Sequence, residues 1–421
     1  MIQHMPFPRR ELPSMTRIRR KVPSERVADP RSEVRQQLLD RGLQERVKPG
    51  ARIGITAGSR DMGGFVPLLA GIADAVKTAG GVPFILPTMG SHGGATPQGQ
   101  TEILRRLGVT DEAVGAPVCA TMDTVELGTA KNGARAHLDR IAHDSDGIIV
   151  LGRTQLHPQS AEGLASGLLK MTVIGLGKQA GAQQAHNHGL WDSVRHVPEV
   201  VIPQAKILFG VTEVENGYRD TMVLETVPGR YDAFLETDER LLKVSQKYFV
   251  RLPFDHLDLL IVDESGKNIS GSGMDTNVIG TYRATGKGPH EPDIKRIVVL
   301  SLTKASLGNG LGIGLADFTT RRFLDEYDPG TTYANLLTAT EPESTTREAP
   351  MPLALDSDRE AIEIALYTSL ASGAPRVCRI RNTGRLDEMW ISEALLEEAR
   401  RDSSITVEPG EMRFDAHGNL F

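Results

Sequence analysis

The stretch RIGITAGSRDMGGFVPLLAGIADAVKTAGGVPFILP, residues 52–87, decides the fold class. Its first six residues, RIGITA, and its last six, VPFILP, are short apolar runs typical of buried strands. Between them, Phe65–Gly80 places apolar side chains at helical spacing and ends on glycine, the residue that most often follows a helix C-terminus. A strand, a helix and a second strand in this order are typical of a parallel sheet.

The alternation of strands and helices continues along the chain. Further strands are predicted over residues 147–151, 205–211, 257–263 and 297–302, and helices over residues 101–108, 361–371 and 388–400. Because 421 residues exceed what one hydrophobic core usually holds, two domains are expected. The predicted fold class is therefore α/β, with two domains, each a mostly parallel sheet flanked by helices, and the active site in the inter-domain cleft.

The domain boundaries are predicted from where this pattern starts and restarts. Residues 1–30 are polar and rich in Pro and Arg, so we expect an N-terminal arm there, with the basic run at residues 17–21 as a solvated part of it. Residues 31–250 are expected to form the N-terminal catalytic domain and residues 251–421 the C-terminal domain, with Leu241–Pro253 as the linker. The last segment is expected either to stay with the C-terminal domain or to pack back on the first.

Composition and charge exclude several classes of protein. The formal net charge of −6 provides no basic surface for nucleic acid or an anionic membrane. No apolar stretch is long enough to span a bilayer, and the N-terminus lacks the apolar region of a signal peptide. Cys119 and Cys378 match no metal spacing, so each is expected to be a small buried residue in a reducing compartment. We expect a cytoplasmic protein that acts on a small molecule; the sequence does not indicate its oligomeric state.

Reactive side chains are concentrated in glycine-rich loops after the predicted strands. In open α/β sheets such loops meet at the carboxyl ends of the strands and form the binding site. His92 and His157 follow the second and third strands, where a histidine titrates near neutrality and can exchange protons with a ligand. A loop histidine bonded to backbone is the alternative for each, but their equivalent positions favour a shared role. The loops are GSRDMGG (58–64), TMGSHGGATP (88–97), GRTQLHPQ (152–159) and ESGKNISGSGMDTN (264–277).

The segment EGLASGLLKMTVIGLGKQAGAQQAHNH, residues 162–188, contains the densest set of candidates. Lys170 and Lys178 lie among small and apolar residues, where a lysine either reaches solvent or is held as a reactive amine. His186 and His188 are two residues apart and cannot share one helical face, so only one of them is expected to be a metal ligand. The i, i+4 histidine spacing of a zinc helix is absent.

Two cations lie in glycine-rich loops of different predicted domains. Arg60 and Lys267 would suit recognition of a carboxylate or phosphate, and a surface cation is the alternative for each. The glycines of Gly271–Asn277 match neither GxGxxG after a strand nor a phosphate loop ending in GK[ST]. The sequence therefore provides no fingerprint for a free dinucleotide.

In their order and spacing these residues resemble the nickel-dependent lactate racemase family and its broad set of relatives. The resemblance covers the chain from about Ala51 to Asn277. The matching positions are Arg60 in GSR, His92 in a Gly-Ser-His turn, His157 before Pro158, Lys170 in a Gly-rich stretch, His186 sixteen residues later (186 − 170), and Lys267 after the first strand of the second half.

The resemblance implies a racemase or epimerase of a 2-hydroxy acid with a tethered nickel-pincer nucleotide. In the family a lysine is joined to this pyridinium-derived cofactor through a thioamide, and a histidine completes the nickel coordination. The corresponding residues here are Lys170 and His186, with Lys178 and His188 as rivals for the two roles.

The resemblance also implies the roles of the remaining candidates. His92 and His157 would alternately take and return the substrate hydroxyl proton, while the cofactor carbon accepts and returns the α-hydride. Ser59 and Arg60 would contact the cofactor, and Arg60 and Lys267 would hold anionic groups of the substrate.

Departures from the family pattern bear on the substrate. Ala57 stands where the family has an aspartate, three residues before the arginine, and the interval from His157 to Lys170 is a few residues longer. A 2-hydroxy acid larger than lactate or differently charged is therefore expected. Two other classes stay open: a non-catalytic protein that binds a hydroxy acid or nucleotide, and a conventional metal- or NAD-dependent oxidoreductase or hydrolase. A binding protein would have no need of two opposed histidines. A conventional oxidoreductase or hydrolase would need a dinucleotide fingerprint or a triad of metal ligands.

Overall fold

The computed structural model describes residues 8–157, 164, 166–286, 290–337 and 347–421. Within them the chain divides into two units. We call N-terminal unit the part formed by Pro23–Phe249 with residues 334–337, and C-terminal unit the part formed by residues 8–22, Val250–Tyr333 and 347–421.

The strands and helices of the described residues have the following bounds. The strands are β1 Met15–Arg20, β2 Arg52–Ala57, β3 Val82–Pro87, β4 Thr124–Thr129, β5 Arg135–Asp139, β6 Gly147–Arg153, β7 Ile207–Glu215, β8 Thr221–Pro228, β9 His256–Val262, β10 Asp293–Val299, β11 Phe318–Thr320, β12 Leu353–Leu355, β13 Val377–Asn382, β14 Arg385–Ser392 and β15 Ile405–Glu408. The helices are α1 Pro30–Asp40, α2 Leu43–Arg46, α3 Phe65–Thr78, α4 Pro97–Arg106, α5 Asp111–Val114, α6 Arg140–His143, α7 Leu168–Lys170, α8 Lys178–Asn187, α9 Leu190–Gln204, α10 Tyr231–Tyr248, α11 Thr276–Ile279, α12 Tyr282–Thr285, α13 Arg321–Glu326, α14 Pro329–Leu336, α15 Asp358–Thr368 and α16 Glu393–Arg401.

The N-terminal unit is built on a sheet of five strands in the order β3-β2-β6-β7-β8. The first four are parallel, and β8 is antiparallel to β7. Alternate residues of β6 pack on opposite faces: Ile149 and Leu151 join the core formed with α1 and α3, and Ile148 and Val150 join the core formed with α9. Because both faces are covered, each strand is an almost continuous apolar run.

The strand order contains a switch point between β2 and β6. From β2 the chain crosses to β3 on one side, and it later returns to place β6 on the other side of β2. In open α/β sheets the loops leaving two such strands diverge at their carboxyl ends and leave a crevice that binds ligands.

The C-terminal unit contains an eight-stranded sheet in the order β12-β11-β10-β9-β13-β14-β1-β15. The five strands from β12 to β13 are parallel, and β14, β1 and β15 pair antiparallel. Leu259, Ile261 and Val298 of the central strands pack in one core with Ala361 and Ile362 of α15. The predicted α/β fold with parallel-rich sheets flanked by helices is confirmed.

The expectation of a solvated N-terminal arm is wrong for its central segment. Residues Met15–Arg20 form β1, which pairs with β14 on one side and β15 on the other. Met15 and Ile18 are buried, and the basic side chains have acidic partners: Arg17 lies 2.6 Å from Glu388. Sheet pairing and ion pairs from a distant part of the chain therefore hold this basic run in the C-terminal unit.

Two boundaries predicted in the second half also need correction. The predicted helix over residues 388–400 begins inside a strand, because Met389 and Ile391 alternate toward the core and pair with β13 and β1. The predicted linker Leu241–Pro253 begins inside α10, where Leu241 and Leu242 are buried. Among the described residues, no helix has both the length and the apolar character needed to cross a membrane.

Candidate active site

A cavity of about 170 Å³ lies within the N-terminal unit, at the carboxyl ends of β2, β3 and β6. Its lining comes from the loops that follow these strands and from α7 with the turn after it. Four residues predicted from the sequence line this cavity: Ser59, Arg60, His92 and Lys170. The cavity therefore occupies the switch point between β2 and β6, where the topology of the sheet favours a ligand site.

The loop after β3 brings His92 to the cavity by means of glycines. Gly90 and Gly93 have φ values of 59° and 69°, a conformation that other residues rarely adopt. A Cβ atom on Gly93 would come within 2.5 Å of the backbone carbon of Gly99, so the turn has no room for a side chain there. The His92 N–H donates to the carbonyl of Met89 at 3.1 Å, and its half-buried side chain lines the cavity.

Lys170 is placed by a buried carboxyl group. Asp238 of α10 accepts hydrogen bonds from the N–H groups of Leu168 at 3.0 Å and Leu169 at 2.9 Å, at the start of α7. Gly167 precedes this turn, and a Cβ atom there would lie 2.3 Å from a carboxyl oxygen of Asp238. Burial raises the pKa of Asp238 to about 6, against the lowering effect of these hydrogen bonds. The carboxyl group thus fixes the helical turn that ends on Lys170.

A tryptophan connects Lys170 with the second predicted histidine. The Nζ atom of Lys170 lies 5.6 Å from the centre of the Trp191 ring, within range of a cation–π interaction. The His157 ring meets the same ring edge to face, with 5.1 Å between the ring centres. His92 therefore shares the cavity with Lys170, and His157 shares an aromatic neighbour with it.

Arg153 is a cation of this cavity that the sequence analysis did not single out. Its guanidinium donates to both carboxylate oxygens of Glu215 at 2.8 Å and to the carbonyl of Asp61 at 3.2 Å. Glu215 also accepts from the Gly63 N–H at 2.8 Å. Since both contacts reach the loop after β2, this ion pair holds the segment that carries Arg60.

A neutral glutamic acid holds the same loop. The Thr221 hydroxyl oxygen lies 2.6 Å from the carbonyl of Gly63 and 2.5 Å from a carboxyl oxygen of Glu213. A hydroxyl group has one proton, and a carbonyl can only accept, so Thr221 donates to Gly63 and Glu213 must donate to Thr221. Burial, followed by the charge of Glu215, raises the pKa of Glu213 well above its usual value, in agreement with a protonated carboxyl group.

Lys178, the rival of Lys170, has its side chain fully buried. Its Nζ atom lies 2.7 Å from the carbonyl of Pro87, 2.6 Å from Oε1 of Gln100 and 3.4 Å from Oδ2 of Asp139. Of the two lysines, Lys170 lines the cavity and Lys178 is enclosed behind it.

The two histidines at the end of α8 differ in position. His186 is half-buried in the last turn of the helix and does not line the cavity. His188 follows the helix, is exposed, and has Nδ1 3.0 Å from the carbonyl of Gln184. The assignment of a nickel ligand to His186, with His188 as its rival, stays a prediction. Within the part of the chain that the structure describes, no group of three or more His, Cys, Asp or Glu is arranged to hold a metal ion.

Lys267 lies in the C-terminal unit, in the loop after β9. Its backbone N–H donates to the Ser306 hydroxyl at 2.8 Å, and its Nζ donates to the carbonyl of Gly271 at 2.6 Å. Its role in binding an anion stays a prediction, and so does the location of the active site in the inter-domain cleft. Cys378 is buried, which raises the pKa of its thiol to about 12, whereas Cys119 is half-buried.

Three residues that shape the site were not predicted from the sequence, for different reasons. Arg153 stands at the end of a buried strand, two residues before Gln155 of the same cavity, and this position could have identified it. Asp238 lies on α10, far from the glycine-rich loops in sequence, and Trp191 lies on α9, just beyond the segment 162–188. Only the packing of α9 and α10 brings them to Lys170, and their local sequence contains no signal for it.

Comparison with protein-family models and with curated proteins finds no match. Among solved structures, the chain is similar to a crystal structure of a protein from Thermotoga maritima, with 14% sequence identity and a TM-score of 0.51 over 66% of this chain and 72% of that chain. It is also similar to the lactate racemase apoprotein from Thermoanaerobacterium thermosaccharolyticum, with 11% identity and a TM-score of 0.44 over 92% of each chain. At such low identity, the first similarity supports the α/β fold alone.

Proposed function

We propose that the chain is an isomerase that racemises or epimerises a 2-hydroxy acid at the cavity between the ends of β2 and β6. One observation carries the proposal: His92, Lys170 and Arg60 line the same cavity, and His157 lies against the tryptophan that also contacts Lys170. The cavity thus brings together one imidazole, an amine and a guanidinium, and the second imidazole packs on the tryptophan next to that amine.

The two histidines supply the proton transfers of the proposed reaction. Inversion at a carbon that bears a hydroxyl group requires an acid or base on each side of the substrate, and imidazole groups titrate near pH 6.5, which suits both directions. His92 and His157 follow different strands, β3 and β6, and the proposal has them act on opposite sides of the substrate. Arg60 would bind the substrate carboxylate or an anionic group of the cofactor, with Lys267 as a further anion-binding candidate.

Neither histidine is basic enough to remove the unactivated α-hydrogen of a 2-hydroxy acid. The reaction therefore needs a hydride acceptor, and cofactors supply this chemistry in enzymes. When bound, a nickel-pincer nucleotide would supply that acceptor. The cavity fits such a group in part: Lys170 offers an amine for attachment, and Ser59 and Arg60 offer donors for its phosphate. The nickel ligand, His186, is outside the lining, so its assignment rests on the family resemblance.

The first test is racemisation by protein produced in a host that makes the cofactor. A panel of single-enantiomer 2-hydroxy acids would be assayed in both directions. Replacing either His92 or His157 by Asn should abolish turnover both ways, since each direction needs one as base and the other as acid. His143→Asn, on the exposed side of α6, is the matched control and should keep full activity. Activity that survives in either site variant would contradict the proposal.

A second measurement separates hydride return from proton exchange. With substrate that is protiated at Cα and reacted in deuterated water, the product should keep its α-protium. Deuterium at Cα would mean that the histidines abstract the α-proton, contrary to the proposal. Peptide mapping of the same preparation should place any cofactor adduct on Lys170, and an adduct on Lys178 would exclude the attachment proposed here.

A further inference from the structure

The environment of Lys178 is that of a buried cross-link between segments. Its ammonium group has three N–H donors and faces three acceptors, on Pro87, Gln100 and Asp139. Two of these contacts are hydrogen bonds and the third, with Asp139, is an ion pair at 3.4 Å. A fully buried ammonium is strongly destabilising unless it is paired and hydrogen-bonded, and burial accordingly lowers the pKa of Lys178 while Asp139 acts against this shift.

The contact with Lys178 determines which way the Gln100 amide faces. An ammonium group can only donate, so Oε1 of Gln100 must point toward it. The Nε2 atom then points to the loop after β3, where it lies 2.9 Å from the carbonyl of Gly90 and 3.3 Å from the carbonyl of His92. Lys178 thereby reaches both sides of this loop: directly at Pro87, the last residue of β3, and through Gln100 at His92 itself.

We propose that Lys178 is a positioning residue, which acts through Gln100 to hold the backbone of the His92 loop against the cavity. Lys178 also begins α8, with a φ of 55°, and contacts Asp139 at the end of β5. One buried amine thus fixes the His92 loop relative to two neighbouring elements. The catalytic importance of that loop rests on the proposed function, whereas the positioning of its backbone does not.

The test uses the isosteric variant Gln100→Glu in the full chain. A carboxylate still accepts from Lys178, but it cannot donate to the carbonyls of Gly90 and His92. Gln98→Glu makes the same chemical change at an exposed position of the same helix and is the matched control. Lys178→Met removes the amine while keeping most of the side-chain volume. It tests the effect of the amine on both the His92 loop and α8.

Amide hydrogen exchange of residues 90–96 provides a readout that needs no cofactor or substrate. Loss of two hydrogen bonds should accelerate exchange in this loop by roughly tenfold in Gln100→Glu, with α8 unchanged. Lys178→Met should accelerate exchange in both the loop and α8, and Gln98→Glu in neither. If the loop of Gln100→Glu exchanges at the wild-type rate, the inference is overturned. This measurement does not depend on whether Lys178→Met folds.

Activity of the cofactor-loaded protein then tests the link with His92. Gln100→Glu should lower kcat more than it raises KM, because a displaced His92 slows proton transfer more than it weakens binding. Faster loop exchange with an unchanged kcat would refute the catalytic part of the inference. If the wild-type protein shows no racemase activity but loop exchange changes in the variants as described, the proposed function is refuted and the positioning role stays supported.

Discussion

Replacing Asp238 by Asn should remove a pH dependence from the stability of the protein. The carboxyl group is buried, and its pKa is raised from 3.8 to about 6. For a group whose pKa is higher in the folded state, the stabilising contribution is present below the unfolded pKa and is lost as pH rises through the folded pKa. The unfolding free energy should therefore fall between about pH 4 and pH 7 because of this residue.

The size of the effect follows from the shift of about two pKa units. Each unit corresponds to 1.36 kcal/mol, so the wild-type protein should lose about 3 kcal/mol relative to Asp238→Asn over this interval. Asn does not titrate, and because the N–H groups of Leu168 and Leu169 meet different carboxyl oxygens, its NH2 group would face one of them without accepting a hydrogen bond. The variant should therefore gain in relative stability at neutral pH while the turn that ends on Lys170 becomes less well fixed.

Urea unfolding of both proteins at a series of pH values from 4 to 7.5 measures this difference. Asp232→Asn removes an exposed carboxyl group from the same helix and is the matched control for the loss of one carboxyl group. A constant difference between the wild type and Asp238→Asn across the series would refute the reasoning. Faster amide exchange at Leu168 and Leu169 in the variant would show that the carboxyl group holds α7.

Two further predictions concern the surroundings of Arg60 and Lys170. Because Glu213 donates to Thr221 as a neutral acid, its pKa is raised in the folded state, and the stability that it contributes is lost as pH rises through that raised pKa. Thermal unfolding over a series of rising pH values should therefore show a decline in the wild type that Glu213→Gln lacks, and parallel curves would exclude the neutral acid. Trp191→Leu removes a cation–π contact worth about 0.5–1 kcal/mol, so an acylating reagent should label Lys170 two- to fivefold faster in this variant than in the wild type. Trp191→Phe keeps an aromatic ring and should show a smaller increase. Equal labelling rates in the wild type and both variants would contradict this contact.

The sequence predicted the parts of the molecule that depend on local pattern. Arg52–Ala57 and Val82–Pro87 are strands with the predicted bounds, because β-branched and apolar residues end there at Gly or Pro. The glycine-rich loops after these strands could be recognised for the same reason, and Arg60, His92 and Lys170 line the cavity. Short-range rules decide both features: strand length, turn chemistry and the position of a loop at a strand end.

What the sequence could not predict depends on contacts between distant segments. By its local sequence β1 resembles a basic arm. Its ion-pair partners Glu388 and Glu408, and the strands that carry them, lie nearly four hundred residues away in sequence. The order of strands, which places β6 beside β2 and so creates the switch point, is likewise a tertiary property. Local pattern predicted β2 and β6 as strands but not that they are neighbours, and it did not predict β1.

The buried ionisable groups of the N-terminal unit provide an argument for the site that is independent of the family resemblance. Lys178 holds the loop after β3, Asp238 holds the start of α7, and Glu213 holds the loop after β2 through a threonine. Burying such groups is unfavourable compared with well-packed apolar side chains, so an unselected core would not be expected to gather them around one place. All three fix the backbone of segments that line the same cavity. Fixed backbone geometry is what a reaction centre requires of its supporting residues, and this pattern therefore supports the cavity as the proposed active site.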